Sequence, residues 1–177
     1  MKVITICLAI IASVTATTLN CEFNRNIVFG YVCEIRGVNL VSYDDDLIIT
    51  GDHVKERTDE DVKMISFGNS TINFVPNKIF TSFPSLEILD LNDVKMTKWN
   101  RDFVKNAKSL KRIWLSQNDL EELDDNSFLG ATTLEILALH NNKIAKISDK
   151  AFNGLFQLKS LELQENAITT LTGGVFK

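Results

Sequence analysis

Apolar residues recur along this chain on a fixed grid, with neither the period of a helix nor that of a strand. Units start at Val62, Leu86, Leu110, Leu134 and Leu158, each 24 residues after the last. Three positions into each unit stand Ile65, Leu89, Ile113, Leu137 and Leu161. Two further come Phe67, Leu91, Leu115, Leu139 and Leu163. Later columns hold Ile72, Met96, Leu120, Ile144 and Ile168, then Val75, Trp99, Leu123, Ile147 and Leu171, then Phe80, Val104, Phe128, Phe152 and Phe176. A helical period of about 3.6 or a strand period of 2 does not keep five units in such register. The grid marks one supersecondary unit stacked on copies of itself.

The physics of one unit follows from the pattern. Its first half is extended, so alternate side chains point inward and neighbouring units pair as a parallel sheet. No unit buries its apolar face alone, so at least three must stack. Asn118, Asn142 and Asn166 fall where the chain turns out of each strand. Their amides can satisfy backbone groups that the turn would otherwise bury without partners, forming a ladder. Ser70 and Val94 hold that position in the first two units. Ser70 keeps one hydrogen bond; Val94 has none to offer, so a local distortion or a water is expected there.

The repeated LxxLxLxxNxL, with its period of 24 residues and a late Phe, resembles the typical subclass of extracellular leucine-rich repeats. The resemblance covers residues 62–177. It implies an α/β repeat fold: a right-handed leucine-rich-repeat solenoid with a concave parallel β-sheet. Such proteins bind protein partners, in innate immunity or at cell surfaces. A scaffold role in the extracellular matrix is the alternative, with assembly through an exposed C-terminal repeat edge.

A solenoid exposes its core at each end and needs caps. Residues 17–61 read as the N-terminal cap. Asn26 to Phe29 and Tyr31 to Cys33 suggest two strands around Gly30, with a Cys21–Cys33 bridge near the base of the hairpin. Closing a loop of that length contributes about 3 kcal/mol in the chain-entropy model. Leu47 to Thr50 reads as a further strand. The two-cysteine hairpin, followed by Asp59-Glu60-Asp61, is similar to the caps of secreted insect repeat proteins, immune-type ones included. The last unit stops at Phe176-Lys177, which suggests either a fragment or an edge that meets a partner.

Export explains the start of the chain. Lys2, the apolar run Val3 to Val14 and the small residues Val14-Thr15-Ala16 have the order of a signal peptide over residues 1–16. No other stretch approaches the length of a membrane span. Cys7 leaves with that segment; in an oxidising compartment Cys21 and Cys33 then most simply pair, and two cysteines without a nearby His do not complete a zinc shell.

Composition adds exclusions. The net charge is −4, with 45% hydrophobic and 24% charged residues. That is ordinary for a globular protein, and it lacks the clustered cations of nucleic-acid binders. No nucleophile, zinc or phosphate-loop motif occurs, and no cofactor is implied. His140 can meet Glu162 or Glu165 on the next unit, but it has no activated Ser or Cys beside it and an open sheet does not exclude water. Asp44-Asp45-Asp46 lacks the spacing of a calcium loop.

Binding is expected on side chains that project from the concave sheet between the core positions. Ile88, Asp90, Arg112, Trp114, Ile136, His140 and Glu162 form the candidate partner face, with Trp114 at its centre and Ile88 and Ile136 on neighbouring rungs. An aromatic beside Arg and apolar groups has the composition of an interface hot spot. Asn69-Ser70-Thr71 is a glycosylation sequon, and a glycan there would push binding toward the middle of the array.

Overall fold

The computed structural model describes residues 17–41 and 47–175. The expected signal segment with Cys7, the acidic run Asp44 to Asp46, and Phe176 with Lys177 lie outside the described residues. A seven-stranded sheet runs through the molecule. In spatial order it contains β13 (Ser160–Glu162), β11 (Ile136–Ala138), β9 (Arg112–Trp114), β8 (Ile88–Asp90), β6 (Val62–Gly68), β3 (Gly30–Arg36) and β2 (Glu22–Asn26). All neighbours are parallel except β2 and β3, which form an antiparallel hairpin. From β6 to β13 the register advances by the sequence period: Ile65, Leu89, Ile113, Leu137 and Leu161 lie side by side.

The inward columns form one core. Leu89, Leu91, Leu110, Ile113, Leu115, Leu137 and Leu139 are fully buried within it. At the C-terminal end Leu158, Leu161, Leu163 and Ile168 are only partly covered, and Leu171 is exposed. The opposite side of the solenoid carries compact turns: the short helix α1 (Lys78–Ser82) and a 3-10 turn over Arg101–Val104. It also carries the strand pairs β4 (Asn39–Leu40) with β7 (Thr71–Ile72), and β10 (Glu122–Leu123) with β12 (Lys146–Ile147). Aromatic rings pack beneath these turns, Trp99 lying stacked 5.2 Å from Phe128.

Each unit leaves its strand through one residue in the left-handed region: Asn69, Asp93, Gln117, Asn141 and Glu165 have φ between 48° and 59°. The next residue holds the ladder. Asn118 Oδ1 accepts from Val94 N (3.2 Å) and Met96 N (2.9 Å), while Nδ2 donates to the carbonyls of Leu91 (2.7 Å) and Leu115 (3.0 Å). Asn142 and Asn166 repeat this, accepting from Leu120 N and Ile144 N. Each amide therefore completes the turn of the preceding rung. At Val94 the substitute is backbone: its carbonyl accepts from Ile72 N at 2.9 Å. Lys95, at φ 58°, adds a second left-handed residue to this turn. The distortion expected at Val94 thus takes the form of a reoriented backbone carbonyl that replaces the missing amide.

The cap differs from expectation in detail. Cys21 and Cys33 are disulfide-bonded, Cα atoms 5.0 Å apart. The hairpin turn is not at Gly30; it comprises Ile27, Val28 and Phe29, between β2 and β3. Asn26 Oδ1 accepts from Val28 N (2.9 Å) and Phe29 N (3.0 Å). An Asn side chain that binds the backbone two and three residues on makes a turn of apolar residues possible. The second expected strand is longer and serves as an extra rung: Cys33 pairs with Ile65, Ile35 with Phe67 and Leu40 with Ile72. That rung stands 32 residues before β6 instead of 24. The expected strand over Leu47 to Thr50 is β5 (Ile48–Thr50), parallel to β1 (Thr18–Asn20). Gly51 follows at φ 140°, where a Cβ would lie 2.3 Å from the Cys21 carbonyl oxygen, so only glycine fits beside the disulfide.

Candidate functional site: the concave sheet

Three columns of side chains project from the concave face. One runs Val32, Met64, Ile88, Arg112, Ile136, Ser160; the next Glu34, Ser66, Asp90, Trp114, Ala138, Glu162. The third begins with Arg36 and Gly68 and continues through Asn92, Ser116 and His140.

One column of the N-terminal half of this face is apolar and closed. Val32, Met64 and Ile88 form a small cluster separate from the main core, with Phe29 and Trp114 packed against it. Phe29 comes from the hairpin turn and meets Trp114 edge to face, ring centroids 5.4 Å apart at 72°. Ile88 is consequently only 4% exposed. This corrects the reading of Ile88 as a projecting contact residue: Met64, Trp114 and Phe29 cover it. Ile136 does not join it either, because Arg112 stands between them in the same column. Phe29 and Val32 were missed because the cap's rung is out of step with the repeat. The signal was present in Cys33, Ile35 and Leu40, which match the core columns once a spacing of 32 is allowed.

Trp114 itself is half-buried and sits at the border. On one side is the aromatic and aliphatic cluster; on the other stands Ala138, a small buried residue in the same column, followed by Glu162, which lies against His140. Arg112 makes no ion pair among the described residues. Asp90, directly beside Trp114 in the ladder, accepts a hydrogen bond from Asn92 N at 3.0 Å. Burial pushes its carboxyl above the usual carboxylate range, with the Asn92 amide opposing the shift.

His140 Nδ1 lies 2.9 Å from Ser116 Oγ and 3.2 Å from Glu162 Oε2. A serine is therefore beside this histidine. A carboxylate only accepts, so Nδ1 carries the proton that Ser116 and Glu162 share. A relay from a nucleophile needs the serine on the other ring nitrogen. Ser116 is also 3% exposed, and its backbone N–H donates to Asn92 Oδ1 at 2.8 Å. The trio orients the imidazole across three rungs.

Asn69 is exposed at the end of β6, next to Gly68. Beside the sheet runs a column with alternating charge, Lys63, Glu87, Lys111, Glu135 and Lys159. Glu87 joins Lys63 at 3.0 Å and Lys111 at 2.8 Å, and Glu135 joins Lys159 at 3.0 Å. The Lys111 hydrogen bond, then that of Lys63, holds the Glu87 carboxyl below its usual range against the effect of burial. Among the described residues no helix is long and apolar enough to cross a membrane.

Residues 132–177 match the family model described as leucine rich repeat. The chain has the leucine-rich-repeat fold. Solved structures agree along most of its length. The leucine-rich-repeat domain of APL1 is 21% identical with a TM-score of 0.56, over 88% of this chain and 44% of that one. A chain of the LRIM1/APL1C complex is 21% identical at TM-score 0.59, over 88% of this chain and 32% of that one. TLR13 in complex with ssRNA13 is 22% identical at TM-score 0.62, over 66% of this chain and 16% of that one. The leucine-rich-repeat chain described here thus spans less than half the length of each of these proteins. No curated protein matches it.

Proposed function

We propose that this leucine-rich-repeat chain is an exported binding module that holds a protein partner on the concave face around Trp114. The observation that carries this reading is the position of Trp114. Packed on one edge by Phe29 and itself only half-buried, it is a partly covered aromatic beside Arg112, which makes no ion pair among the described residues. Aromatic and Arg anchors at the centre of a patch dominate protein interfaces. Asp90, Ile136, His140 and Glu162 surround it as polar and aliphatic rim, while Ile88 supports it from beneath. The Cys21–Cys33 disulfide supports export, because such bonds persist in oxidising compartments. The complex of LRIM1 with APL1C supports a protein partner, by similarity of fold. RNA, present in the TLR13 complex, is disfavoured: the concave columns hold only Arg36 and Arg112 as permanent cations, and Arg36 is engaged by Glu34 at 2.7 Å. A glycan on exposed Asn69 would flank the closed N-terminal half and leave Trp114 accessible.

Immobilised wild type, Trp114→Ala and Lys108→Ala, a substitution outside the concave columns, test this against extracellular fluid. A partner retained by wild type and Lys108→Ala, and lost from a normally folded Trp114→Ala, is the expected result. Equal retention by all three would remove the patch from consideration.

A second reading has one observation of its own. Phe156 is 83% exposed beside an open cavity of about 690 Å3 lined by Phe152, Leu155, Leu158 and Val175. Association through this edge would make the chain a scaffold, and sedimentation would then depend on concentration.

A further inference from the structure

The hairpin turn of the cap carries apolar residues where turns usually carry Gly, Asn, Asp or Ser. At its tip Ile27 is fully exposed, and Val28 after it is 76% exposed. Single apolar side chains are ordinary on a surface, but two in succession on a turn this firmly held are not. Asn26 Oδ1 accepts from Val28 N at 2.9 Å and from Phe29 N at 3.0 Å, and Asn26 pairs with Gly30 across the base of the turn. Phe29 is fixed by its edge-to-face contact with Trp114, and the Cys21–Cys33 disulfide ties the hairpin further down. The tip is therefore ordered before any partner arrives, which reduces the entropy lost on binding.

Position and charge narrow the occupant. Phe29 lies against Trp114, and the Cα atoms of Val28 and Ile27 are within about 8 Å of its own. The tip thus continues the surface that Trp114 and Phe29 begin, within reach of a protein seated there. A membrane fits less well. Lys55, Arg57 and Lys63 each face a carboxylate, Glu56 at 3.9 Å, Asp61 at 2.8 Å and Glu87 at 3.0 Å. Arg25 donates to the Lys55 carbonyl at 3.4 Å, so the neighbourhood lacks the cluster of free cations that anionic headgroups attract. We propose that Ile27 and Val28 form a second, aliphatic contact that inserts into an apolar pocket of the same protein that sits on Trp114. The proposal rests on the concave-face reading and adds the hydrophobic complement that the partner must present.

The test uses the whole chain with Ile27→Ser and Val28→Ser together. Both side chains stand in water, so this variant should fold as wild type does, with Trp114 emission unchanged. Its affinity for the protein that wild type retains from extracellular fluid, once purified, should fall about a hundredfold, since burial of one aliphatic side chain is worth roughly tenfold or more. A photocrosslinker at the tip, Val28→p-benzoylphenylalanine, should attach to that protein within an apolar segment, and adding Trp114→Ala should abolish the adduct. Undiminished affinity of the serine variant, or attachment within a charged segment, would overturn the proposal. Cosedimentation with phosphatidylcholine and phosphatidylserine vesicles, lost on the serine substitutions, would overturn it in favour of a membrane contact. Concentration-dependent dimerisation lost in the same variant would overturn it in favour of a contact between copies. If capture still depends on Trp114 in those cases, only the tip contact falls; if Trp114→Ala binds as wild type does, the concave-face reading falls with it.

Discussion

Phe29 and Trp114 touch edge to face across the concave sheet, although one belongs to the cap turn and the other to a rung 85 positions later (114 minus 29). The contact ties the hairpin to the repeats and shields Val32, Met64 and Ile88 from water. It also limits how far apolar contact with a partner can extend toward the N-terminus, because the apolar column there is covered.

Removing the ring should loosen that tie. Phe29→Ala is expected to cost about 1–2 kcal/mol, from the lost aromatic pair and partial exposure of the cluster. Trp114 emission should move to the red, while buried Trp99 stays as it is. Unchanged emission and an unchanged denaturation midpoint would mean that the two rings do not meet in solution.

The asparagine ladder should grade along the array. Asn118→Ala strips two buried N–H groups and their neighbouring carbonyls of partners, and should destabilise by about 2–4 kcal/mol. Asn166→Ala, at the less covered end, should cost clearly less. Chemical denaturation of the two variants checks the order.

The pH dependence of Asp90 follows from the direction of its shift. Its carboxyl is raised in the folded state, so the folded chain holds that proton more tightly. Its unfavourable contribution is absent below the unfolded value of 3.8 and grows as pH rises through the folded value. Asp90→Asn should therefore match wild type in acid and be more stable than wild type at neutral pH. Denaturation at pH 3 and pH 7 measures this, and a loss of stability at pH 7 alone would contradict it.

Glu87 behaves in the opposite sense. Lys111 and Lys63 lower its carboxyl, so its stabilising contribution is present above the unfolded value of 4.5 and is lost as pH falls through the folded one. These bridges are partly exposed, so Glu87→Gln should cost only about 0.5–1 kcal/mol, and less in high salt. A double-mutant cycle with Lys111→Met isolates the pair.

Much of this was legible because repetition amplifies weak signals. One Leu says little, but Leu115 and Leu139 at equivalent positions specify a shared interior, and both are fully buried there. Cys21 and Cys33 were readable for a different reason: few partners were available. Illegible were features that depend on contacts across different periods. Phe29 reaches Trp114 only because the cap's rung is offset by 32 residues and Asn26 folds the turn. Ile88 reads as exposed by strand parity, yet side chains above the sheet bury it. The alternation of Lys63, Glu87 and Lys111 was open to inspection, but it gains meaning only when the rungs lie side by side.

Hydroxyl-radical footprinting of the chain with and without its captured partner tests the central claim most directly. Binding on the concave face predicts reduced oxidation of Trp114 with Phe156 unaffected. Protection of Phe156 and Leu171 with Trp114 oxidised as before would contradict it and place the contact on the far end of the array.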